Sequence, residues 1–228
     1  DPIEMVEPAF NQMQVQHNID LTFASGIRAL LRQDPDIIMI GEIRDQETAE
    51  MAIQAALTGL LVLSTLHTND APSAISRLQE LGIAYYLIKA TLLGVMAQRL
   101  VRLLCPRCKR TTGGNDTEAI GCAECRDSGY RGRAGVYEIM QLSERLKAML
   151  NPAVDIQAIR YQALKDGMCS LREAGAEGLG DPHHVHRLRR QPEPGDAHGG
   201  QLGLNIWEAD DFVHLLVEGV HDLSRQSF

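Results

Sequence analysis

Two polar segments, each placed directly after an apolar run, carry the residues best suited to phosphate chemistry. Gly41-Glu-Ile-Arg44 follows the run Ile37–Ile40, and Ser64-Thr-Leu-His-Thr-Asn69 completes a run that begins at Leu61. Short apolar runs bounded by turn-forming residues favour buried strands of a parallel sheet. Open α/β sheets place ligand chemistry at the carboxyl ends of such strands. A carboxylate there could hold Mg²⁺ or activate water, and nearby hydroxyl, imidazole and amide groups could contact a γ-phosphate.

Each of these residues also has an ordinary structural interpretation. Glu42 could cap the next helix or pair with Arg44, because many strands end in an acidic residue. A single histidine after a strand, such as His67, is more often a structural group than a functional one. The functional interpretation gains weight because two neighbouring strands both end in polar residues.

Four cysteines form two C-x-x-C pairs, Cys105/Cys108 and Cys122/Cys125, with thirteen residues between the pairs. This spacing is typical of a zinc ribbon, and the glycine-rich, polar segment around it has almost no apolar core of its own. Four thiolate ligands close the coordination sphere, so the predicted Zn²⁺ is structural. The alternative is four unbound thiols. Cys169 stands apart and is expected to pack as a small buried residue.

The chain of 228 residues is 44% hydrophobic with a formal net charge of −8, which is ordinary globular composition. No run approaches the length of a membrane span, and because no basic segment followed by an apolar one opens the chain, we expect no signal peptide. The acidic balance disfavours a nucleic-acid-binding zinc ribbon, although basic residues cluster near the cysteines. None of the four lysines follows a glycine, so the G-x-x-x-x-G-K-[ST] phosphate loop is absent from these 228 residues.

Strand and helix patterns alternate with short loops, which predicts an α/β domain with a parallel sheet. We expect strands over 11–16, 37–40, 61–65 and 136–140, and helices over 22–33, 46–58, 71–81, 85–104, 143–150 and 155–165. Beyond residue 177 the composition shifts towards His, Arg and Pro. Residues 178–203 are predicted to be a disordered linker or tail, and 206–223 a short amphipathic helix.

Several motifs resemble those of the secretion ATPase superfamily. They are Asp1-Pro-Ile-Glu4, Asp34-Pro-Asp36 through Gly41-Glu-Ile-Arg-Asp45, Leu63-Ser-Thr-Leu-His-Thr-Asn-Asp70 and Gln98-Arg-Leu-Val-Arg102. The cysteine quartet with Gly129-Tyr-Arg-Gly-Arg133 narrows the resemblance to type II secretion ATPases and type IV pilus assembly ATPases. It runs from Asp1 to about Glu177.

The resemblance implies a partial RecA-like P-loop NTPase core with a tetracysteine zinc loop and a C-terminal helical segment. Residues 1–104 would be the C-terminal part of the ATPase core, 105–133 the zinc loop, 134–177 a strand with helices, and 178–228 a divergent tail. The tail is either a frameshift product or a genuine divergent sequence.

The resemblance also implies roles for individual residues. Asp1 and Glu4 match the end of the Asp box, whose acids help to hold Mg²⁺ and water. Glu42 matches the Walker B glutamate that activates water beside ATP. His67 matches the His box, and Arg44 would orient Glu42 or bridge to a neighbour. Cys105, Cys108, Cys122 and Cys125 match the zinc ligands.

The implied parent protein is a homohexamer on the cytoplasmic face of the inner membrane. ATP hydrolysis there would drive secretion or pilus assembly through an inner-membrane platform protein and other assembly proteins, without nucleic acid. Because the family's phosphate loop lies upstream of the Asp box, we expect the 228 residues alone neither to bind ATP tightly nor to hydrolyse it. The competing hypothesis is a non-catalytic, zinc-stabilised protein-interaction module.

Overall fold

The computed structural model describes residues 3, 5–111, 117–177 and 212–218. Within them the α-helices are α1 (Phe23–Leu30), α2 (Gln46–Leu57), α3 (Ser73–Glu80), α4 (Tyr85–Thr91), α5 (Glu144–Met149), α6 (Ile156–Lys165) and α7 (Leu171–Glu177). The strands are β1 (Ile37–Ile40), β2 (Leu61–His67), β3 (Leu92–Leu104), β4 (Lys109–Thr111), β5 (Thr117–Ala119), β6 (Tyr130–Gln141) and β7 (Phe212–Glu218).

The chain divides into two compact units. The first contains residues 1–96, 140–168 and 212–228, and the second contains residues 97–139 and 169–211. The long strands β3 and β6, neighbours in the strand order, have residues in both units.

Parallel pairing of β1 with β2 forms the part of the first unit that positions the polar segments. Ile37 is opposite Leu61 and Ile40 is opposite Ser64, so the two strands end at the same edge. Strand β7 pairs antiparallel with the other side of β2, from Leu61↔Glu218 to His67↔Phe212. The sequence therefore predicts the β1–β2 pair correctly, but the sheet is mixed and not parallel throughout, because β7 pairs antiparallel.

Apolar side chains of the sheet and the helices around it form the core of the first unit. Helix α2 contributes a row of alanines, which allow a close approach, and longer side chains come from the strands and other helices. The fully buried members include Ala49, Ala55, Ala56, Val62, Leu66, Ile75, Ile88, Leu146 and Ile159. Asp45, Ser143 and Asp155 cap the starts of α2, α5 and α6.

Three expectations about secondary structure are wrong. The helix predicted over 85–104 ends at Thr91, and Leu92–Leu104 is strand β3. An apolar run of this kind does not distinguish a buried helix from a buried strand by periodicity. The close approach to β6 makes this segment a strand. Gly94 lies so close to β6 that an added Cβ would come within 3.2 Å of the Met140 carbonyl oxygen.

The other two errors concern the ends of the chain. Residues 11–16 form no strand, only a bridge between Gln16 and Leu21, because none of the strands in the described part of the chain pairs with them. The helix predicted over 206–223 is wrong for Phe212–Glu218, which is strand β7 with Leu215 buried. The edge of β2 offers this valine-containing segment a ladder of hydrogen bonds that outweighs its weak helical pattern. The linker predicted over 178–203 lies outside the described residues.

In the second unit, Val101 and Val136 form a small apolar cluster with Leu103, Ala134 and Leu171. Strands β4 and β5 form a two-stranded antiparallel sheet that the sequence pattern does not predict.

None of the helices in the described part of the chain has the length and apolar character to cross a membrane.

Candidate functional site

Glu42, Arg44 and His67 come together at the carboxyl ends of β1 and β2. Arg44 Nε lies 2.5 Å from Glu42 Oε2, and His67 Nε2 lies 3.5 Å from the same oxygen. The structure thus brings together three of the four residues that the resemblance assigns to catalysis. Glu4, the fourth, and Asp1 lie outside the described residues.

Hydrogen bonds between the two strand ends fix this arrangement. The Ile43 amide donates to the Thr65 carbonyl over 3.0 Å, which continues the parallel pairing past the end of β1. The Thr65 hydroxyl donates to the Gly41 carbonyl over 2.7 Å. Asp45, not Glu42, caps α2, because its Oδ1 accepts the Thr48 amide over 2.8 Å. Glu42 is therefore not needed as a helix cap.

Burial gives the Glu42 carboxylate its special environment. Its side chain is 6% exposed, whereas those of Arg44 and His67 are 68% and 49% exposed. A buried carboxylate requires charged or hydrogen-bonding partners, and here both partners are exposed side chains. Because both contact Oε2, they set the orientation of the carboxyl plane. An oriented, buried carboxylate is suited to position or deprotonate a water molecule.

Two of the three hydroxyl groups predicted near this site, those of Ser64 and Thr65, are directed elsewhere. Ser64 lies on the buried side of β2 with no hydrogen-bond partner for its Oγ, and Thr65 bonds to Gly41. Sequence reasoning also missed the contact of Asp70 with Arg160 on α6, at 2.5 Å. An acidic residue just before a helix predicts a cap, but nothing in the pattern identifies a partner ninety positions away.

The four paired cysteines form one cluster whose Sγ atoms all lie within 4.8 Å of one another. The separation is 3.9 Å for Cys105 and Cys122, and 3.7 Å for both Cys108–Cys125 and Cys122–Cys125. Thiolates about 2.3 Å from a tetrahedral Zn²⁺ would be about 3.8 Å apart. The donor set therefore suits zinc, and three of the six Sγ–Sγ separations already match those of a tetrahedral site.

Backbone amides prepare Cys125 to carry a negative charge. The amides of Cys122 and Gly129 donate to its Sγ over 3.1 and 3.2 Å. Burial opposes ionisation, but these donors and the neighbouring thiols outweigh it and lower the pKa of Cys125 to about 6. For Cys108, burial together with the other thiols raises the pKa to about 12, although the Gly121 amide acts in the opposite direction. A bound divalent cation would stabilise the ionised form of neighbouring thiols that otherwise disfavour each other's ionisation.

Two glycines allow the chain to fold tightly around the cluster. Gly121 and Gly129 have φ values of +104° and +75°. A Cβ would lie 2.7 Å from the Asp127 carbonyl oxygen at the first position and 2.6 Å from the Ala119 Cβ at the second. Neither position accepts a side chain without rearrangement.

Part of the positive charge near the cysteines is neutralised within the second unit. Arg107 and Arg131 both pair with Glu124, at 3.1 and 3.2 Å. Arg102 stacks on the ring of Tyr130, with 3.9 Å between the guanidinium carbon and the ring centroid. The sequence shows the basic stretch but not these contacts.

Curated proteins that resemble the chain are secretion and pilus ATPases. It is 54% identical over 197 residues to the type IV pilus assembly ATPase TfpB of Acinetobacter baylyi, covering 78% of the chain and 34% of that protein. It is 44% identical over 211 residues to the type II secretion system protein E of Pseudomonas aeruginosa, covering 84% of the chain and 42% of that protein. The chain thus spans only about a third to two fifths of these relatives.

Among solved structures, the Legionella pneumophila ATPase DotB matches with a TM-score of 0.57 and 23% identity, covering 79% of the chain and 46% of DotB. This likeness confirms the predicted RecA-like α/β fold. The family model for type II/IV secretion system proteins matches residues 1–187. The chain therefore belongs to the type II/IV secretion system protein family.

Proposed function

We propose that the chain is part of a motor ATPase that powers type II protein secretion or type IV pilus assembly. The observation that supports this most strongly is the convergence of Arg44 and His67 on one oxygen of the buried Glu42 carboxylate. It lies where parallel sheets place ligand chemistry. The name of TfpB, a type IV pilus assembly ATPase, supplies the reaction class, and the name of protein E supplies the type II secretion system.

Glu42 acts as the group that orients and activates the attacking water. Arg44 and His67 hold Oε2, so we assign the contact with water to Oε1. Removing either partner would let the carboxyl plane rotate and would leave a buried charge less compensated. In this scheme His67 links the end of β2 directly to the group that acts on water.

Nucleotide and metal binding require residues beyond this trio. Asp1 and Glu4, with Glu42, are the acids that would hold Mg²⁺ and its water, as the family resemblance implies. Mg²⁺ would supply charge neutralisation at the β- and γ-phosphates of ATP. Because these 228 residues contain no phosphate loop, we propose that they do not hydrolyse ATP without the rest of the motor.

The cysteine cluster has a structural role in this proposal. Zn²⁺ held by Cys105, Cys108, Cys122 and Cys125 would stabilise a segment with few apolar contacts. The closed set of four thiolates leaves no open position for a substrate or water. Zinc therefore supports the fold of the second unit and takes no part in hydrolysis.

The intact motor would be a homohexamer at the cytoplasmic face of the inner membrane. Its partners would be the platform protein and the cytoplasmic-face assembly proteins of the secretion or pilus machine, and not nucleic acid. The basis is the resemblance to the secretion and pilus relatives.

A chimera tests the function directly. This chain replaces the matching 197 residues of the Acinetobacter relative, and steady-state ATP hydrolysis is measured for the chimera and for two variants. We expect Glu42→Gln to lower turnover about 100-fold or more. Glu80→Gln, a change to an exposed glutamate paired with Arg77 on α3, should leave turnover unchanged. Turnover that survives Glu42→Gln would refute the assignment of Glu42 as the group that activates water.

A further inference from the structure

Asp70 joins the segment that follows His67 to a helix ninety positions away. Its Oδ2 lies 2.5 Å from Arg160 Nη2 on α6, and its Oδ1 accepts the amide of Ser73, the first residue of α3, over 2.9 Å. The two carboxylate oxygens thus serve two different elements. Charge-assisted hydrogen bonds of this kind are about twice as strong as neutral ones.

The ion pair is partly shielded from water. The Asp70 side chain is 18% exposed and that of Arg160 is 31% exposed, so solvent screens the pair less than an ordinary surface pair. A second contact attaches the same helical region to α3, because Gln79 Nε2 donates to the Asn151 carbonyl over 2.9 Å. Residues 151–165 are therefore fixed to the region that follows β2.

The segment 68–72 is short and held at several points. It begins directly after His67 at the end of β2 and ends where α3 starts. The Thr68 hydroxyl donates to the Asp70 carbonyl over 3.2 Å, which makes the segment compact. A displacement of Asp70 would therefore be transmitted to His67, three residues earlier.

We propose that Arg160 is a positioning residue for His67. By holding Asp70, it fixes segment 68–72 and keeps the His67 imidazole against Glu42. The effect of this positioning on ATP hydrolysis rests on the function proposed above, but the effect of Arg160 on the position of the His67 ring does not. Helix α6 thereby becomes the element through which the C-terminal helices affect the site.

NMR spectroscopy of the 228-residue chain tests the structural effect without any enzyme activity. The His67 ring signals are assigned by comparison with His67→Gln. We expect Arg160→Gln to shift or broaden them and Arg160→Lys to restore them in part. Asp70→Asn should reproduce the effect of Arg160→Gln, because asparagine keeps the Oδ1 acceptor for Ser73 but removes the charge.

Two comparisons separate positioning from general destabilisation. The double variant Asp70→Asn/Arg160→Gln should perturb the His67 signals no more than either single variant, since both act through one contact. Arg145→Gln removes a different ion pair, which joins α5 to Asp166 directly after α6 at 3.4 Å, and should leave His67 unchanged. Unmoved His67 signals in Arg160→Gln, or equal shifts in Arg145→Gln, would overturn the proposal.

The chimera tests the consequence for hydrolysis. We expect Arg160→Gln to lower kcat about 3- to 30-fold, with partial recovery in Arg160→Lys and no change in Arg145→Gln. If His67 moves but neither Glu42→Gln nor Arg160→Gln affects turnover, the proposed function fails while the positioning role stands. If Glu42→Gln abolishes turnover and Arg160→Gln does not affect it, the role of Arg160 in hydrolysis is refuted.

Discussion

The thiol cluster makes a quantitative prediction about metal binding. Three of the six Sγ pairs are 3.7, 3.7 and 3.9 Å apart. In a tetrahedron the edge is about 1.63 times the distance from centre to vertex, which gives metal–sulfur distances of about 2.3 to 2.4 Å. We therefore expect X-ray absorption spectroscopy of the zinc-loaded chain to show four sulfur ligands at about this distance.

The sharpest perturbation of this site is Cys125→Ser. Serine is close in size, but its hydroxyl does not ionise as the Cys125 thiol does, and it is a poorer ligand for zinc. Cys169→Ser is the matched control, because Cys169 belongs to the same unit but lies outside the cluster. The wild type and Cys169→Ser should bind one zinc ion per chain, and Cys125→Ser should bind much less.

Thermal melting with and without zinc gives the energetic side of this prediction. Free zinc at 100 times its Kd would stabilise the folded chain by about 2.7 kcal/mol. For a chain of this size that corresponds to a rise in Tm of about 5 to 10 °C. We expect the rise in the wild type and in Cys169→Ser, but not in Cys125→Ser. Nitrogen or oxygen ligands in the absorption spectrum, or an equal rise in all three proteins, would refute the reasoning.

Two further predictions concern the first unit. Hydrogen bonds and the charge of Arg160 outweigh burial and lower the pKa of Asp70 below 3.8, so its ionised form stabilises the fold above that pH. In chemical denaturation, the free energy of unfolding of the wild type should exceed that of Asp70→Asn by its full amount at about pH 5. This difference in free energy should shrink as the pH falls below about 4, and a difference that does not change with pH would contradict the assignment. Truncation after residue 211 removes β7 and leaves the edge of β2 unpaired, so sedimentation should show more self-association than after truncation at residue 218. Identical sedimentation of the two truncated chains would show that β7 does not protect this edge.

The sequence predicted the strands of the candidate site well because their signals are local. Ile37–Ile40 is a short apolar run after Asp-Pro-Asp, and Asp45 is a helix cap followed by an alanine-rich helix. These features fix the bounds of β1 and α2 without information from distant residues. The juxtaposition of Glu42 with His67 then follows from the parallel pairing of two consecutive strands.

The errors and omissions arise where distant contacts decide. Leu92–Leu104 is a strand because it lies beside β6 in the sheet, and Phe212–Glu218 is a strand because it pairs with the edge of β2. The Asp70–Arg160 pair depends on how α6 packs, which neither local sequence contains. The cysteine spacing, by contrast, predicts that the four thiols cluster, because two C-x-x-C pairs at this spacing are typical of a single metal site.

A single-turnover measurement on the chimera tests the central claim most directly, because it separates ATP binding from hydrolysis. The account predicts that Glu42→Gln leaves the Kd for ATP within about threefold of the unmodified chimera and slows the hydrolytic step about 100-fold or more. Hydrolysis at an unchanged rate in Glu42→Gln would contradict the assignment of Glu42 as the water-activating group. A loss of rate that is fully explained by weaker ATP binding would contradict it equally.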